Sequence, residues 1–169
     1  MASGLYVIVL LCLTSGLWIE AKVEKYNDQD CCPLGWSYFK GRCYTFYNVE
    51  KDWADAERTC TSHGGNLASI HSTAERNFIR KLIHIRAKKD KTTWLGGYDK
   101  VKVGAWLWSD GSHFDFKGWG VGEPNNDSGG EWCMEINWAE QSIIEDADIQ
   151  QFYSTILSEK SGSGGQTSP

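Results

Sequence analysis

The chain has 169 residues, a formal net charge of -5 and nine tryptophans. That length suits one domain with a hydrophobic core of useful size. The acidic balance gives no electrostatic reason to expect a nucleic acid or an anionic membrane as partner.

The opening MASGLYVIVLLCLTSGLW contains no acid and carries an apolar run from Leu5 to Leu13. The run is too short to span a bilayer and matches the core of a signal peptide. Small residues at Gly16 and Ala21 offer cleavage points, so residues 1–21 read as a signal peptide. The mature chain is then expected to be soluble, secreted and not inserted in a membrane. In an oxidising compartment cysteines are read first as disulfide partners. Cys12 leaves with the signal, and Cys31, Cys32, Cys43, Cys60 and Cys133 remain. Their number is odd, so at least one thiol is free or joined to another chain.

Residues 22–31 are a polar lead-in. In GWSYFKGRCYTFYN, from Gly35 to Asn48, aromatic runs flank a Lys-Gly-Arg break, which predicts a hairpin turning at Gly41. A bridge between Cys32 and Cys43 would staple its first arm. Asp52 can cap a helix in which Trp53, Ala56 and Cys60 share one face. Ser72 and Glu75 have capping-box spacing ahead of Phe78, Ile79, Leu82 and Ile83, which predicts a second amphipathic helix. Arg86, Lys88, Lys89 and Lys91 at its end complement the helix dipole and are expected to stay solvated. TTWLGGYD and AWLWSDGSHFDFKGWG then read as short aromatic strands between Gly and Asp turns. Hairpin, two helices and a strand-and-loop region make an α+β fold. The domain is expected over residues 32–158, and residues 159–169 form a flexible tail.

The motifs CCPLGWSYFKGRCY, DWADAERTC, GGNLASIHS, WLGG and WSDGSHFDFKGW, in this order, resemble the C-type lectin domain. Within that family the chain looks most like the small secreted lectins of fish, a group that also includes type II antifreeze proteins. The resemblance implies two helices, short antiparallel sheets and a long loop region. It also places EPNNDSGGEWCMEIN, residues 123–137, at the family's sugar-binding loop. Glu123, Asn125, Glu131 and Asp146 would then ligate Ca²⁺, which takes several hard oxygen ligands in flexible geometry. Glu-Pro-Asn is the family's mannose-type triplet, with a proline that is usually cis; galactose or lactose remains open. Glu135 lies in the same stretch without an assigned role.

The chain departs from the family at two places. Where the family has Trp-Asn-Asp, this chain has Ile144-Glu145-Asp146; Glu145 can offer oxygen to a cation but cannot donate to a sugar hydroxyl. By resemblance Cys60 and Cys133 would pair with cysteines near Leu157 and Ile149, and neither position is cysteine. The C-terminal strand is therefore expected to diverge from about residue 139, with Cys60 and Cys133 unpaired or joined to another chain. Cys31 is the candidate for a disulfide-linked homodimer, against a free exposed thiol. Asn126-Asp127-Ser128 is a glycosylation sequon beside the proposed site.

These features point to a secreted Ca²⁺-assisted carbohydrate-binding protein, for which the resemblance suggests innate defence. A lectin-like scaffold that has lost Ca²⁺ and sugar binding is the alternative, and an ice-binding surface is a further one. An enzyme is not expected: no nucleophile or metal-protease motif appears, and His63, His71, His84 and His113 read as ordinary turn or helix residues.

Overall fold

The structure is a computed structural model that describes residues 32–138, 144–148 and 153–160. The signal segment, the lead-in with Cys31, and residues 161–169 lie outside the described residues.

Strand β1 (Ser37–Phe39) turns into β2 (Arg42–Lys51) through Lys40 and Gly41. Their φ values of 47° and 81° are both positive, as a tight two-residue hairpin turn of this hand requires. The Cys32–Cys43 disulfide closes the first arm. Helix α1 (Trp53–Ser62) starts where Asp52 accepts a hydrogen bond from the Asp55 amide at 2.7 Å, and it buries Ala56 and Cys60. After β3 (Asn66–Leu67), helix α2 (Thr73–Ala87) is capped by Ser72, whose hydroxyl accepts from the Glu75 amide at 3.2 Å. The Glu75 carboxylate reaches back to accept from the His71 amide at 3.0 Å, so the local polar code agrees with the apolar face of Ile79, Leu82 and Ile83.

Strands β4 (Thr93–Tyr98), β5 (Leu107–Trp108), β6 (Glu131–Ile136), β7 (Ile144–Asp148) and β8 (Tyr153–Lys160) complete one connected sheet. Its main order is β1-β2-β8-β4-β6-β7, with β3 beside β8 and β5 beside β4. Pairing is antiparallel except between β4 and β8, which run parallel. The WLGG motif sits at the centre because its glycines permit close approach. A Cβ on Gly96 would come within 2.7 Å of the Leu67 carbonyl, and one on Gly97 within 2.8 Å of Met134.

Trp94 is fully buried among Ala56, Cys60, Leu67, Cys133 and Ala147, and donates its indole N–H to the Lys51 carbonyl at 2.9 Å. A second apolar cluster joins α2 to Leu95, Trp108, Met134, Ile136, Ile144 and Ile156. The divergent C-terminal segment therefore still contributes β7 and β8 to the sheet. Strand β8 runs to Lys160, two residues into the stretch expected to be tail. At the basic end of α2, Arg86, Lys88 and Lys89 are exposed as expected, and Lys91 is half-buried. Arg86 donates to the Gly35 carbonyl at 2.7 Å, and Lys91 pairs with Glu50 at 3.1 Å. No helix among the described residues is long and apolar enough to cross a membrane.

Candidate functional site

The long segment between β5 and β6 is held down by polar contacts at its start. Asp110 accepts from Arg42 at 2.9 Å, Ser69 at 2.7 Å and the Ser112 hydroxyl at 2.5 Å. Burial opposes ionisation of Asp110, but these hydrogen bonds outweigh it and hold the carboxyl down at about 2. Trp106, Phe114, Phe116 and Trp119 pack edge to face or tilted over the core, which fixes the middle of the segment.

The segment ends in the loop at Glu123. The Glu123–Pro124 peptide is cis. Asn125 donates its side-chain amide to Glu123 at 2.8 Å, and its backbone N–H to Asp146 at 3.0 Å. Asp146, 2% exposed on β7, also accepts from the Asn126 amide at 2.8 Å. Glu131 accepts from the Asp127 amide at 2.7 Å, and its own N–H donates to the Asn126 carbonyl oxygen of the side chain at 3.1 Å. Residues distant in sequence, 123–131 and 145–146, are thus stitched into one acidic surface by backbone donors. Glu145 lines a hollow with Glu123, while Glu135, fully buried, sits opposite Glu145 in the β6–β7 register.

The charges in this surface oppose one another. Burial, and then the neighbouring Asp146, push Glu123 up to about 7. Burial also raises Glu145 to about 7, and the charges of Glu123, Glu131 and Asp146 add to the effect. Glu131 is raised by burial, with Asp146 adding to the effect. Among the described residues none of these four carboxylates has a Lys, Arg or His partner. A set of hard oxygens with excess negative charge and no protein counter-charge is chemically suited to Ca²⁺. Its geometry is not that of a closed cage: among the described residues no three acidic, His or Cys side chains converge on one metal position. Asp146 accepts from two backbone amides and Glu131 from one, which leaves each carboxylate part of its acceptor capacity for a cation.

His71 is not an ordinary turn residue. Its Nδ1 contacts Asp115 at 2.8 Å, and its Nε2 contacts Ser69 at 3.1 Å and Ser112 at 3.2 Å. The composition resembles that of a nucleophilic triad, but both serines donate their protons to Asp110 and neither lines the adjacent cavity. The network ties the long segment to α2. His84 likewise contacts Asp90 at 2.9 Å.

A family model for the lectin C-type domain matches residues 49–154. The chain belongs to the C-type lectin domain family. It is 46% identical to the galactose-specific lectin nattectin of Thalassophryne nattereri over 82% of this chain and 86% of that protein. It is 42% identical to ladderlectin of Oncorhynchus mykiss over 72% of this chain and 64% of that one. The herring type II antifreeze protein has a similar structure, with a TM-score of 0.71 and 31% identity over 76% of this chain and 98% of that one.

Against the C-type lectin pattern, Cys32–Cys43 is the bridge present, while Cys60 and Cys133 are free and buried. Cys133 faces Ala147 across the β6–β7 pair. Burial pushes both thiols well above the ordinary range, so they behave as small apolar core residues rather than nucleophiles. Two residues of functional interest had no place in the sequence reading, Glu135 and Arg76. Glu135 lies in the quoted loop, and an acid flanked by Met134 and Ile136 in a strand was the available signal.

Proposed function

We propose that the protein is a secreted lectin that recognises sugar hydroxyls with the assistance of Ca²⁺ bound by Glu123, Asn125, Glu131, Glu145 and Asp146. The observation that carries this reading is the set of four half-buried or buried carboxylates without a protein cation, gathered on one loop and strand. Ca²⁺ there would offer open coordination positions to a pair of vicinal hydroxyls. Glu123 and Glu131 would accept hydrogen bonds from those hydroxyls, and the Asn125 amide would donate one. The Glu-Pro-Asn triplet favours a mannose-type sugar, whereas nattectin is named as galactose-specific. Defence by binding microbial surface glycans fits a secreted lectin. A glycan on Asn126 would stand beside the loop and restrict access, and Cys31 would supply any disulfide to a second copy.

A scaffold without Ca²⁺ or sugar binding is the second reading. It is favoured by Glu145 in the place of the family's Asn and by the amides that occupy Asp146. A glycan array read with Ca²⁺ and with EDTA separates the two. Mannose or galactose binding that EDTA abolishes supports the lectin. No binding to any glycan, with no Ca²⁺ uptake by calorimetry, leaves the scaffold. Thermal hysteresis of an ice suspension would instead support the ice-binding alternative.

A further inference from the structure

Two hollows meet beside the candidate loop. One, of about 300 Å³, is lined by Trp119, Glu123, Trp138, Glu145 and Arg76. The other, of about 240 Å³, is lined by Thr73, Asp115, Phe116, Lys117 and again Arg76. They share Arg76 and Gly118, so together they form one groove from the Glu123 loop to the start of α2, with Arg76 at its waist.

Arg76 is the unexplained residue in this groove. Its Nε is shielded from solvent and has no hydrogen-bond partner among the described residues, and no ion pair of its guanidinium occurs among them. A guanidinium held partly out of water without a protein acceptor is unfavourable, and an acceptor from outside would relieve that cost. Three acids line the same hollows: Asp115 is engaged by His71 at 2.8 Å, Glu123 accepts from the Asn125 side-chain amide at 2.8 Å, and neither these nor Glu145 forms an ion pair with Arg76 among the described residues. The planar guanidinium fork matches a carboxylate or sulfate with two parallel hydrogen bonds. Lys117, exposed at the far end, adds a second positive charge to the same hollow. Trp119 and the 45% exposed Trp138 supply aromatic surface along the other hollow, suited to the apolar face of a pyranose ring.

We propose that this groove is a second glycan subsite, in which Arg76 and Lys117 take an oxyanion, a sulfate ester or a carboxylate, on a saccharide extending from the Glu123–Asn125 loop. The proposal rests on the lectin reading for the position of the first sugar, but the oxyanion contact has its own readout. The experiment measures binding of the full chain, in Ca²⁺, to immobilised lactose, sulfated lactose, sialyllactose, mannose and sulfated mannose. At least one anionic form should bind about tenfold more tightly than its neutral parent, a difference of about 1.4 kcal/mol. The preference should fade as salt is raised. Sulfated or sialylated probes responding alone would identify which oxyanion is taken.

Arg76→Gln should remove the preference while leaving binding of the neutral parent unchanged. Lys117→Gln, at an exposed position where folding is not at risk, should reduce it about twofold to threefold. Neutral and anionic forms bound equally by the wild-type protein, or a preference that survives Arg76→Gln, would overturn the subsite while leaving the loop reading intact. Arg76-dependent binding of anionic probes alone, without any neutral sugar, would uphold the subsite and remove the loop reading. Silence on every probe overturns both.

Discussion

Glu135 and Glu145 stand opposite each other across β6 and β7, one fully buried and the other at the candidate sugar loop. Burial, with the charges of Glu123, Glu131 and Asp146, pushes the Glu145 carboxyl up to about 7. Glu145 thus brings carboxyl oxygens beside Glu123 and Asp146, at the place where the family has an amide. The β6–β7 register holds Glu145 at the loop, where a carboxyl in place of an amide would shift the site toward cation binding and away from sugar orientation.

Glu145→Asn should reverse that shift. The substitution removes one of the opposed charges, restores a donor for a sugar hydroxyl, and still leaves an oxygen for a cation. The expected result is sugar binding in Ca²⁺ about tenfold tighter, about 1.4 kcal/mol, measured by calorimetry with mannose and galactose in parallel. The melting temperature should rise by about 2–4 °C, as expected for roughly 1 kcal/mol of relieved repulsion. Weaker binding in this variant would mean that Glu145 contacts the sugar productively as it stands.

Ca²⁺ should stabilise the protein, because a cation bound only by the folded state shifts unfolding by mass action. At a hundredfold excess over the dissociation constant the gain is about 2.7 kcal/mol. Glu123→Ala should lose that gain while folding normally without Ca²⁺, since the loop is peripheral to both apolar clusters. Thermal melts with CaCl₂ and with EDTA check both statements; an equal Ca²⁺ response in wild type and variant would remove Glu123 from the ligand set.

The parts of the fold legible in the sequence are those written by near neighbours. Asp52 with Asp55, Ser72 with Glu75, Lys40-Gly41 and Cys32 with Cys43 are local codes, and each produces the element expected of it. The contacts that escaped are long-range. Arg42 meets Asp110, His71 meets Asp115, and Lys91 meets Glu50 only because the sheet brings distant segments together. The same reason hid Arg76. Only the path of the long loop brings Gly118 and Trp119 to the hollow that Arg76 lines.

Asp110 gives the fold a testable acid dependence. Its carboxyl is lowered from 3.8 to about 2, so the folded state favours the charged form more than the unfolded state does. The contribution is present in full above about pH 4 and is lost as pH falls from there through about pH 2, a change of roughly 2 kcal/mol. Asp110→Asn should be less stable than wild type by about 3 kcal/mol at pH 7, because Arg42 loses its counter-charge. The gap between the two proteins should narrow toward pH 2 in urea denaturation. A gap independent of pH would assign the loss to packing rather than to ionisation.

The missing bridges can be restored one at a time. Cys60 and Cys133 are buried, so alkylation followed by peptide mapping should leave both unlabelled in the native protein and label both after unfolding. Leu157 on β8 is in register with Leu67 of β3, and Leu67 packs in the same apolar cluster as Cys60. The strand position left without cysteine is therefore paired with a residue that packs in the cluster of Cys60. Leu157→Cys should form a disulfide with Cys60 on oxidation. Closing a loop on the order of 100 residues should then stabilise the protein by about 3–5 kcal/mol relative to the same variant reduced. Mass mapping identifies the bridge, and melts with and without reductant measure its effect. A Cys60 thiol still free after oxidation would mean that the Cα atoms lie beyond about 7 Å, and that the divergent segment has moved β8 away from its family position.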